Sequence, residues 1–134
     1  MGFQGYFIKV GDYTIPLKYM ESGTYKGYRS VQDIDSYRDG NGKLNRDVLS
    51  HVPCKAEFET VPMMTETEFD ELMGNIERNF TNELERKANV TAYISEKRTY
   101  ITQEMYMPDI TPTENCILNG EVRYNSTRLA FIGY

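Results

Sequence analysis

The sequence predicts a mainly β domain of the α+β class: an antiparallel β-sandwich or barrel with one flanking α-helix and a long protruding β-hairpin. Short runs rich in β-branched and aromatic residues alternate with turn residues throughout the chain. A single stretch carries a helix cap followed by an apolar stripe at helical spacing. Elsewhere, two glycines close to each other mark the tip of a long hairpin. The length of 134 residues, 40% of them hydrophobic, suits one core, so we predict a single domain over residues 1–134.

Composition and charge exclude several classes of function. Fifteen basic and twenty acidic residues give a net charge of -5, and the basic residues are spread along the chain, which disfavours a nucleic-acid-binding face. The chain contains no apolar run near the roughly 20 residues needed to cross a bilayer. Because no basic start precedes an apolar stretch, we predict no membrane span and no secretory signal, and expect synthesis in a cytoplasm.

The N-terminal third reads as strands joined by turns. Residues 6–17 form a predicted hairpin around the Gly11-Asp12 turn, and residues 20–26 have the composition of a loop. Residues 28–37 alternate as a strand, but neither face is strongly apolar. Such a strand is either a solvated edge or packs against something outside its own domain.

The strongest turn in the sequence lies at residues 39–42, where two glycines and an asparagine supply the backbone conformations of a tight reversal. A long polar hairpin therefore projects there, with residues 43–49 as its return limb. Residues 54–61 then alternate as a half-buried strand. The side chains of this strand predicted to face the core are Cys54, Ala56, Phe58 and Thr60.

The predicted helix begins after Thr65. Thr65 and Glu68 form a capping box, and Met64 with Phe69 forms the matching hydrophobic staple. The sequence leaves open whether residues 79–82 end the helix or interrupt it before residues 83–87. The apolar stripe consists of Phe69, Leu72, Met73, Ile76 and Phe80.

The C-terminal part predicts further strands. Residues 90–94 and 99–107 form a second hairpin around the charged turn at 95–98, and two prolines then bracket a loop over 108–112. Residues 121–124, a polar turn at 125–127 and residues 128–134 complete the chain. Because frayed tails are usually polar, the apolar end is predicted to be a paired strand.

The candidates for chemistry are few. His51 is the sole histidine, and Cys54 three positions later makes a Cys-His nucleophile pair conceivable, although a strand-edge histidine beside a buried core cysteine explains both residues more simply. Cys54 and Cys116 could form a disulfide, but two free thiols are favoured in a protein made in a cytoplasm. The acids of the hairpin lack calcium-loop spacing, because Tyr37 and Arg38 stand where the third ligand and the glycine are required. We predict no catalytic, metal or cofactor site.

The order of elements and two stretches of sequence carry a resemblance to a known family. Residues 31–47, VQDIDSYRDGNGKLNRD, combine an Asp-Ile-Asp strand, a glycine turn and a basic-acidic return, and the chain closes with RY at 123–124 and LAFI at 129–132. This pattern resembles the bacteriophage tail-tube fold of tube subunits, distal-tail proteins and baseplate-hub proteins. It is similar to small tail proteins of phages and prophages of Gram-positive bacteria.

The resemblance implies a structural, non-enzymatic virion component made in the cytoplasm of a bacterial host. Its subunits would form a ring, sixfold by the resemblance, in the tail tube or its distal or baseplate end. The ring would line a channel through which DNA passes without specific binding, and its partners would be other copies and neighbouring tube, baseplate-hub and tape-measure proteins. The net negative charge suits such a channel, because attraction to phosphate would retard the DNA.

The resemblance also implies that the long hairpin reaches an adjacent subunit or ring, although an ordinary mobile loop would have the same sequence features. The predicted interface residues are Asp33, Asp35, Tyr37, Arg38, Asp39, Asn41, Lys43 and Arg46.

Two other functions remain open from the sequence. A monomeric carbohydrate- or protein-binding β-sandwich of a receptor-binding device would use the eleven tyrosines as a platform, although the absence of tryptophan counts against sugar stacking. A small cysteine hydrolase would use Cys54 and His51. The residues themselves predict neither the position in a tail nor the number of copies in a ring.

Overall fold

The computed structural model describes residues 2–29, 37–38, 40–45 and 52–134. This part of the chain is mainly β with one α-helix, α1 (Glu66–Glu77), and a short 3-10 turn at Leu17–Tyr19, so the predicted α+β class is confirmed. The strands are β1 (Ile8–Val10), β2 (Tyr13–Thr14), β3 (Lys26–Arg29), β4 (Tyr37–Arg38), β5 (Leu44–Asn45), β6 (Cys54–Glu59), β7 (Met64–Thr65), β8 (Lys87–Ile94), β9 (Thr99–Tyr106), β10 (Glu114–Leu118), β11 (Glu121–Tyr124) and β12 (Arg128–Gly133).

Seven strands form one antiparallel sheet in the order β2-β1-β8-β9-β12-β6-β3. The sheet curls until β3 returns to β8: the Ser95 N–H donates to the Gly27 carbonyl at 3.4 Å, and the Tyr25 hydroxyl donates to the Tyr93 carbonyl at 2.7 Å. Burial raises the pKa of Tyr25, which keeps its hydroxyl a donor. The curl gives the sheet the form of a barrel, with its apolar side chains inside.

Gly27 allows the close approach between β3 and β8. A Cβ at this position would lie 2.1 Å from the Tyr93 carbonyl oxygen and 2.4 Å from the Tyr25 hydroxyl oxygen, both far below van der Waals contact. No residue larger than glycine fits there without moving one of the two strands.

The core is built from the inward faces of the sheet and one face of α1. Thr60 is fully buried, and its hydroxyl accepts a hydrogen bond from the Thr127 N–H at 2.9 Å. The predicted inward set of residues 54–61 is therefore confirmed in full, including its polar member. The largest fully buried side chains are Phe58, Phe131, Ile8, Ile15, Met64, Leu72, Ile76, Ile94, Met105, Leu129, Val10 and Val90.

The capping box of α1 is confirmed. The Glu68 N–H donates to the Thr65 hydroxyl, and the Thr65 N–H donates to the Glu68 carboxylate, both at 3.2 Å. The helix ends at Glu77, so residues 79–82 terminate it. Asn82 then closes a turn, because its side-chain Oδ1 accepts from the N–H groups of Leu84 and Glu85. Phe80 lies beyond the helix but still packs against the core.

Several predicted strand limits are wrong. β3 begins at Lys26, inside the predicted loop, because pairing with β6 fixes that residue opposite Glu57; residues 30–36 of the predicted strand lie outside the described residues. β8 begins at Lys87 rather than residue 90, since it pairs with β9 as far as Tyr106. β10 was not predicted as a strand. The C-terminal segment is a paired strand, as predicted, with β6 and β9 as its neighbours.

Candidate assembly surface

The predicted hairpin around residues 39–42 is present in the backbone. Tyr37 pairs with Asn45 and Arg38 with Leu44, and Gly42 adopts a φ of +82° in the turn. β4 and β5 form a two-stranded ribbon that pairs with no other strand in the described part of the chain. Of the predicted interface residues, Asn41 and Lys43 are exposed. The side chains of the other predicted interface residues lie outside what the structure describes. These residues are Asp33, Asp35, Tyr37, Arg38, Asp39 and Arg46.

A two-stranded ribbon that pairs with no further strand is only marginally stable in water. A third strand would complete its backbone pairing. The interface role of the hairpin stays a prediction.

A second hairpin, formed by β10 and β11, joins β7 in a three-stranded sheet of order β10-β11-β7. β10 is an edge of this sheet with no further strand among the described residues, and it carries two exposed apolar side chains, Ile117 at 66% and Leu118 at 44% exposure. The turn has φ values of +53° at Asn119 and +78° at Gly120. Asn-Gly between short β-prone runs is a strong hairpin signal, so these two residues could have revealed β10 in the sequence.

An acidic groove lies beside α1, between the helix, β11 and the loop containing Ile110. Its volume is about 550 Å³, and carboxylates rim an apolar floor. The rim would repel anionic ligands, including nucleic acid. The acidic residues at the groove are Glu66, Asp70 and Glu77, and the apolar ones are Phe69, Met73, Ile110 and Tyr124.

Three cations on the strands of the seven-stranded sheet form ion pairs with carboxylates. Lys87 contacts Glu104 at 2.6 Å, Arg29 contacts Glu96 at 3.1 Å, and Arg128 contacts Glu57. Exposed pairs of this kind add little stability, typically about 0–1 kcal/mol each. Their consequence is electrostatic: each of these three cations has an adjacent carboxylate, which reduces its attraction for a phosphate group.

The environment of Cys54 does not suit a nucleophile. The side chain is 1% exposed, and burial raises the pKa of the thiol, an effect that Arg29 only partly opposes. The Cys54 N–H donates to the Gln103 side-chain oxygen at 2.9 Å, which fixes the strand end. His51 lies outside the described residues. Cys54 and Cys116 are both free thiols, so the disulfide alternative is wrong.

We expect a thiol reagent at neutral pH to modify Cys116 at least about tenfold faster than Cys54, because Cys116 is partly exposed and Cys54 is buried with a raised pKa. Because the thiolate of Cys54 forms only at higher pH, its modification should accelerate as the pH rises through the raised pKa. Labelling followed by peptide mass analysis measures both rates, with Cys116→Ser as the control. Faster reaction of Cys54 would contradict this account and favour a nucleophile.

Aromatic side chains cluster around the N-terminal segment, where they pack on one another. Phe7 stacks on Tyr25 with ring centroids 4.3 Å apart, and Tyr6 stacks on Tyr100 at 4.7 Å. The Tyr100 hydroxyl donates to the Tyr6 carbonyl at 2.8 Å. Each of these rings stacks one face on a neighbouring ring, so that face is not open for sugar stacking.

In the described ranges, no three or more His, Cys, Asp or Glu residues lie close enough together to hold a metal ion. The described helix is too short and too polar to span a membrane.

The comparison with protein families covers the whole sequence. A model described as a family of unknown function, DUF6711, matches residues 1–134. The chain belongs to the DUF6711 family. Comparison of this DUF6711 chain with curated proteins gives no match.

The DUF6711 chain is similar to solved structures of tail particles. A chain from the tail of an empty gene transfer agent particle with C6 symmetry superposes with a TM-score of 0.52 and 13% identity, and covers 100% of this chain and 94% of that one. A chain from the virion of a native gene transfer agent particle superposes with a TM-score of 0.51 and 14% identity, and the match covers 100% of this chain and 94% of that one. A chain from the cap that terminates the tube of the anti-feeding prophage superposes with a TM-score of 0.44 and 12% identity, and the match covers 99% of this chain and 90% of that one. The predicted tail-tube-like fold is confirmed.

Proposed function

We propose that this DUF6711 chain is a structural, non-enzymatic subunit of a phage-like tail, and that its copies assemble into a closed ring of the tube or of its distal or baseplate end. The observation that carries the proposal is the fold likeness to a chain from a gene transfer agent tail with C6 symmetry, which extends over all of this chain and 94% of that one. Because the same fold can serve different functions, the proposal needs a test of assembly.

The proposal extends to a hexameric ring whose lumen lets DNA pass without specific binding. It is supported by the net charge of -5, which would oppose retention of a phosphate backbone. Residues 1–134 would act as one domain within a virion made in a Gram-positive host. The partners would be neighbouring tube, baseplate-hub and tape-measure proteins.

The proposal assigns the long hairpin to a subunit interface. The isolated β4–β5 ribbon supports this assignment, because it lacks a third strand within the described part of its own chain. The residues that we assign to the interface are Asp33, Asp35, Tyr37, Arg38, Asp39, Asn41, Lys43 and Arg46.

Negative-stain electron microscopy of the purified chain at rising protein concentration tests the proposal. We expect rings with a central hole, or stacks of such rings, at high concentration. A featureless field of small particles at every concentration would contradict self-assembly. Mixing the chain with short double-stranded DNA should produce no shift in a gel at physiological salt, and tight binding would contradict a passive channel.

A further inference from the structure

We propose that the acidic groove beside α1 receives the turn between β8 and β9 of a second copy of this chain, with the exposed Phe3 next to that turn as an apolar anchor. The inference rests on the proposed function, because it names a contact through which one copy holds the next. The contact joins two different surfaces, so it is head-to-tail, and head-to-tail contacts form closed rings when the rotation between copies closes.

The groove carries carboxylates above an apolar floor. Glu66, Asp70 and Glu77 form no ion pair with any described residue. The groove continues past the end of the helix, because two smaller cavities of about 130 and 230 Å³ also have Glu77 in their lining. Met73 and Ile110 line both the groove and the first of these cavities. Such a surface suits a partner that carries both cationic and apolar side chains.

Leu84 extends this surface at the far end of the groove. Its side chain is 98% exposed, and the neighbouring Glu83 and Arg86 line the cavity of 230 Å³. The Asn82 Oδ1 accepts from the N–H groups of Leu84 at 3.1 Å and Glu85 at 3.2 Å, so the turn that carries Leu84 has a defined shape. A single exposed leucine is ordinary on a protein surface, but here it adjoins an apolar groove. We call the groove, its continuation and Leu84 together the acidic end.

The turn between β8 and β9 carries the opposite charge. Lys97 and Arg98 are exposed and form no ion pair with any described residue. The carboxylate of the turn, Glu96, is paired with Arg29 at 3.1 Å. The turn therefore presents two positive charges to a partner, and a groove rimmed by carboxylates is their complement.

Phe3 lies beside the same turn. Its ring meets Tyr93 of β8 edge-on with centroids 6.0 Å apart, and Phe3 is 48% exposed. The adjacent Gly2 lies close to the Arg98 guanidinium, since a Cβ at Gly2 would be 4.0 Å from its Nη2. Aromatic and arginine side chains are frequent anchors of protein interfaces. We call Phe3, Lys97 and Arg98 the basic end.

The two ends lie too far apart to meet within one chain. Arg86 of the acidic end directly precedes β8, whereas the turn of the basic end follows β8. β8 has eight residues, which span about 26 Å at the usual rise of a strand. The basic end therefore reaches only the acidic end of another copy. A second copy is the occupant that the chain itself supplies, with matched charge and an aromatic anchor.

Charge reversal tests the contact. Lys97→Glu with Arg98→Glu makes the basic end acidic, and Asp70→Lys with Glu77→Lys makes the groove basic. Because all four side chains are exposed, we expect unchanged circular dichroism spectra. For each double variant alone, we expect the protein concentration for half-assembly to rise by about tenfold or more, because like charges would then meet. Light scattering over a concentration series measures this value.

An equimolar mixture of the two double variants should assemble like the original chain. In alternating copies, each acidic turn meets a basic groove and each basic turn meets an acidic groove, and a ring of six permits this alternation. The control, Lys18→Glu with Lys26→Glu, makes the same change in net charge at exposed positions outside both ends and should assemble like the original chain. Equal weakening by the control would attribute the loss to net charge and overturn the inference.

Leu84→Ser tests the acidic end without a change in charge. Leu84 is 98% exposed, so the substitution removes no packing within the subunit, and the unfolding temperature of the dilute chain should not change. We expect the concentration for half-assembly to rise by about fivefold. The control, Leu84→Met, keeps an apolar side chain and should assemble like the original chain. An effect of Leu84→Ser no larger than that of Leu84→Met would contradict the inference.

The two proposals fail in distinguishable ways. If the original chain assembles and both charge-reversed variants assemble equally well, or if their mixture assembles no better than either alone, the inference is wrong and the proposed function stands. If the original chain stays monomeric at every concentration, the proposed function fails, and this inference fails with it.

Discussion

Replacing Phe131 with alanine is expected to lower the free energy of unfolding by about 4 kcal/mol, the usual cost of deleting a buried aromatic ring. Phe131 is 1% exposed and lies in the middle of β12, opposite Ala56 of β6. The small partner cannot fill the space that the ring leaves, so a cavity would remain. Urea unfolding monitored by circular dichroism measures the change.

Phe3→Ala is the matched control for that substitution. Phe3 is 48% exposed, although its ring contacts Phe7 at a centroid distance of 5.0 Å. We expect a loss of about 1 kcal/mol or less. Equal losses at the two positions would contradict the placement of Phe131 at the centre of the core.

Gly27→Ala is expected to destabilise the chain by about 3 kcal/mol, because the added methyl group would overlap the Tyr93 carbonyl where β3 closes on β8. The clash is with backbone, which cannot rotate away as a flexible side chain would. The Tyr25 hydroxyl, which donates to the same carbonyl, would also be displaced. Thermal unfolding at fixed protein concentration measures the change.

Gly40→Ala provides the comparison for Gly27→Ala. Among the described residues, a Cβ at Gly40 meets nothing within 4 Å, and Gly40 is not one of the glycines given a left-handed φ, so the change should be within about 0.5 kcal/mol. If Gly27→Ala were equally mild, β3 would not close on β8 as described, and the barrel form of the sheet would be wrong.

The elements that could be predicted from sequence are those determined by nearby residues. The capping box at Thr65 and Glu68 sets the start of α1, and alternation alone gives the inward face of β6. The Gly11-Asp12 turn likewise predicts the pairing of β1 with β2, because the reversal is encoded in adjacent residues.

The features that could not be predicted depend on residues far apart in the chain. β11 pairs with β10 and with β7, whereas chain order alone suggests the following strand as its neighbour. The closure of β3 on β8 depends on the absence of a side chain at Gly27, and sequence gives no sign of the carbonyl that it faces. The end of the helix at Glu77 could not be predicted, because the polar residues that follow it could either end the helix or interrupt it.

The candidate assembly surface likewise has one feature that the sequence predicts and one that it does not. The glycine turn predicts the hairpin of β4 and β5, because local turn chemistry determines it. The exposure of Ile117 and Leu118 could not be predicted, since a short apolar run has the same sequence whether a core or another subunit covers it. Their outward position becomes visible only when β10 is placed at the edge of its sheet.

The central claim is that this chain closes into a ring with copies of itself, and native mass spectrometry at high protein concentration tests it most directly. Six chains of 15.6 kDa give about 94 kDa, and the account predicts this mass or whole multiples of it. A single species at 15.6 kDa under all conditions, or an open series in which every copy number is populated equally, would contradict a closed ring.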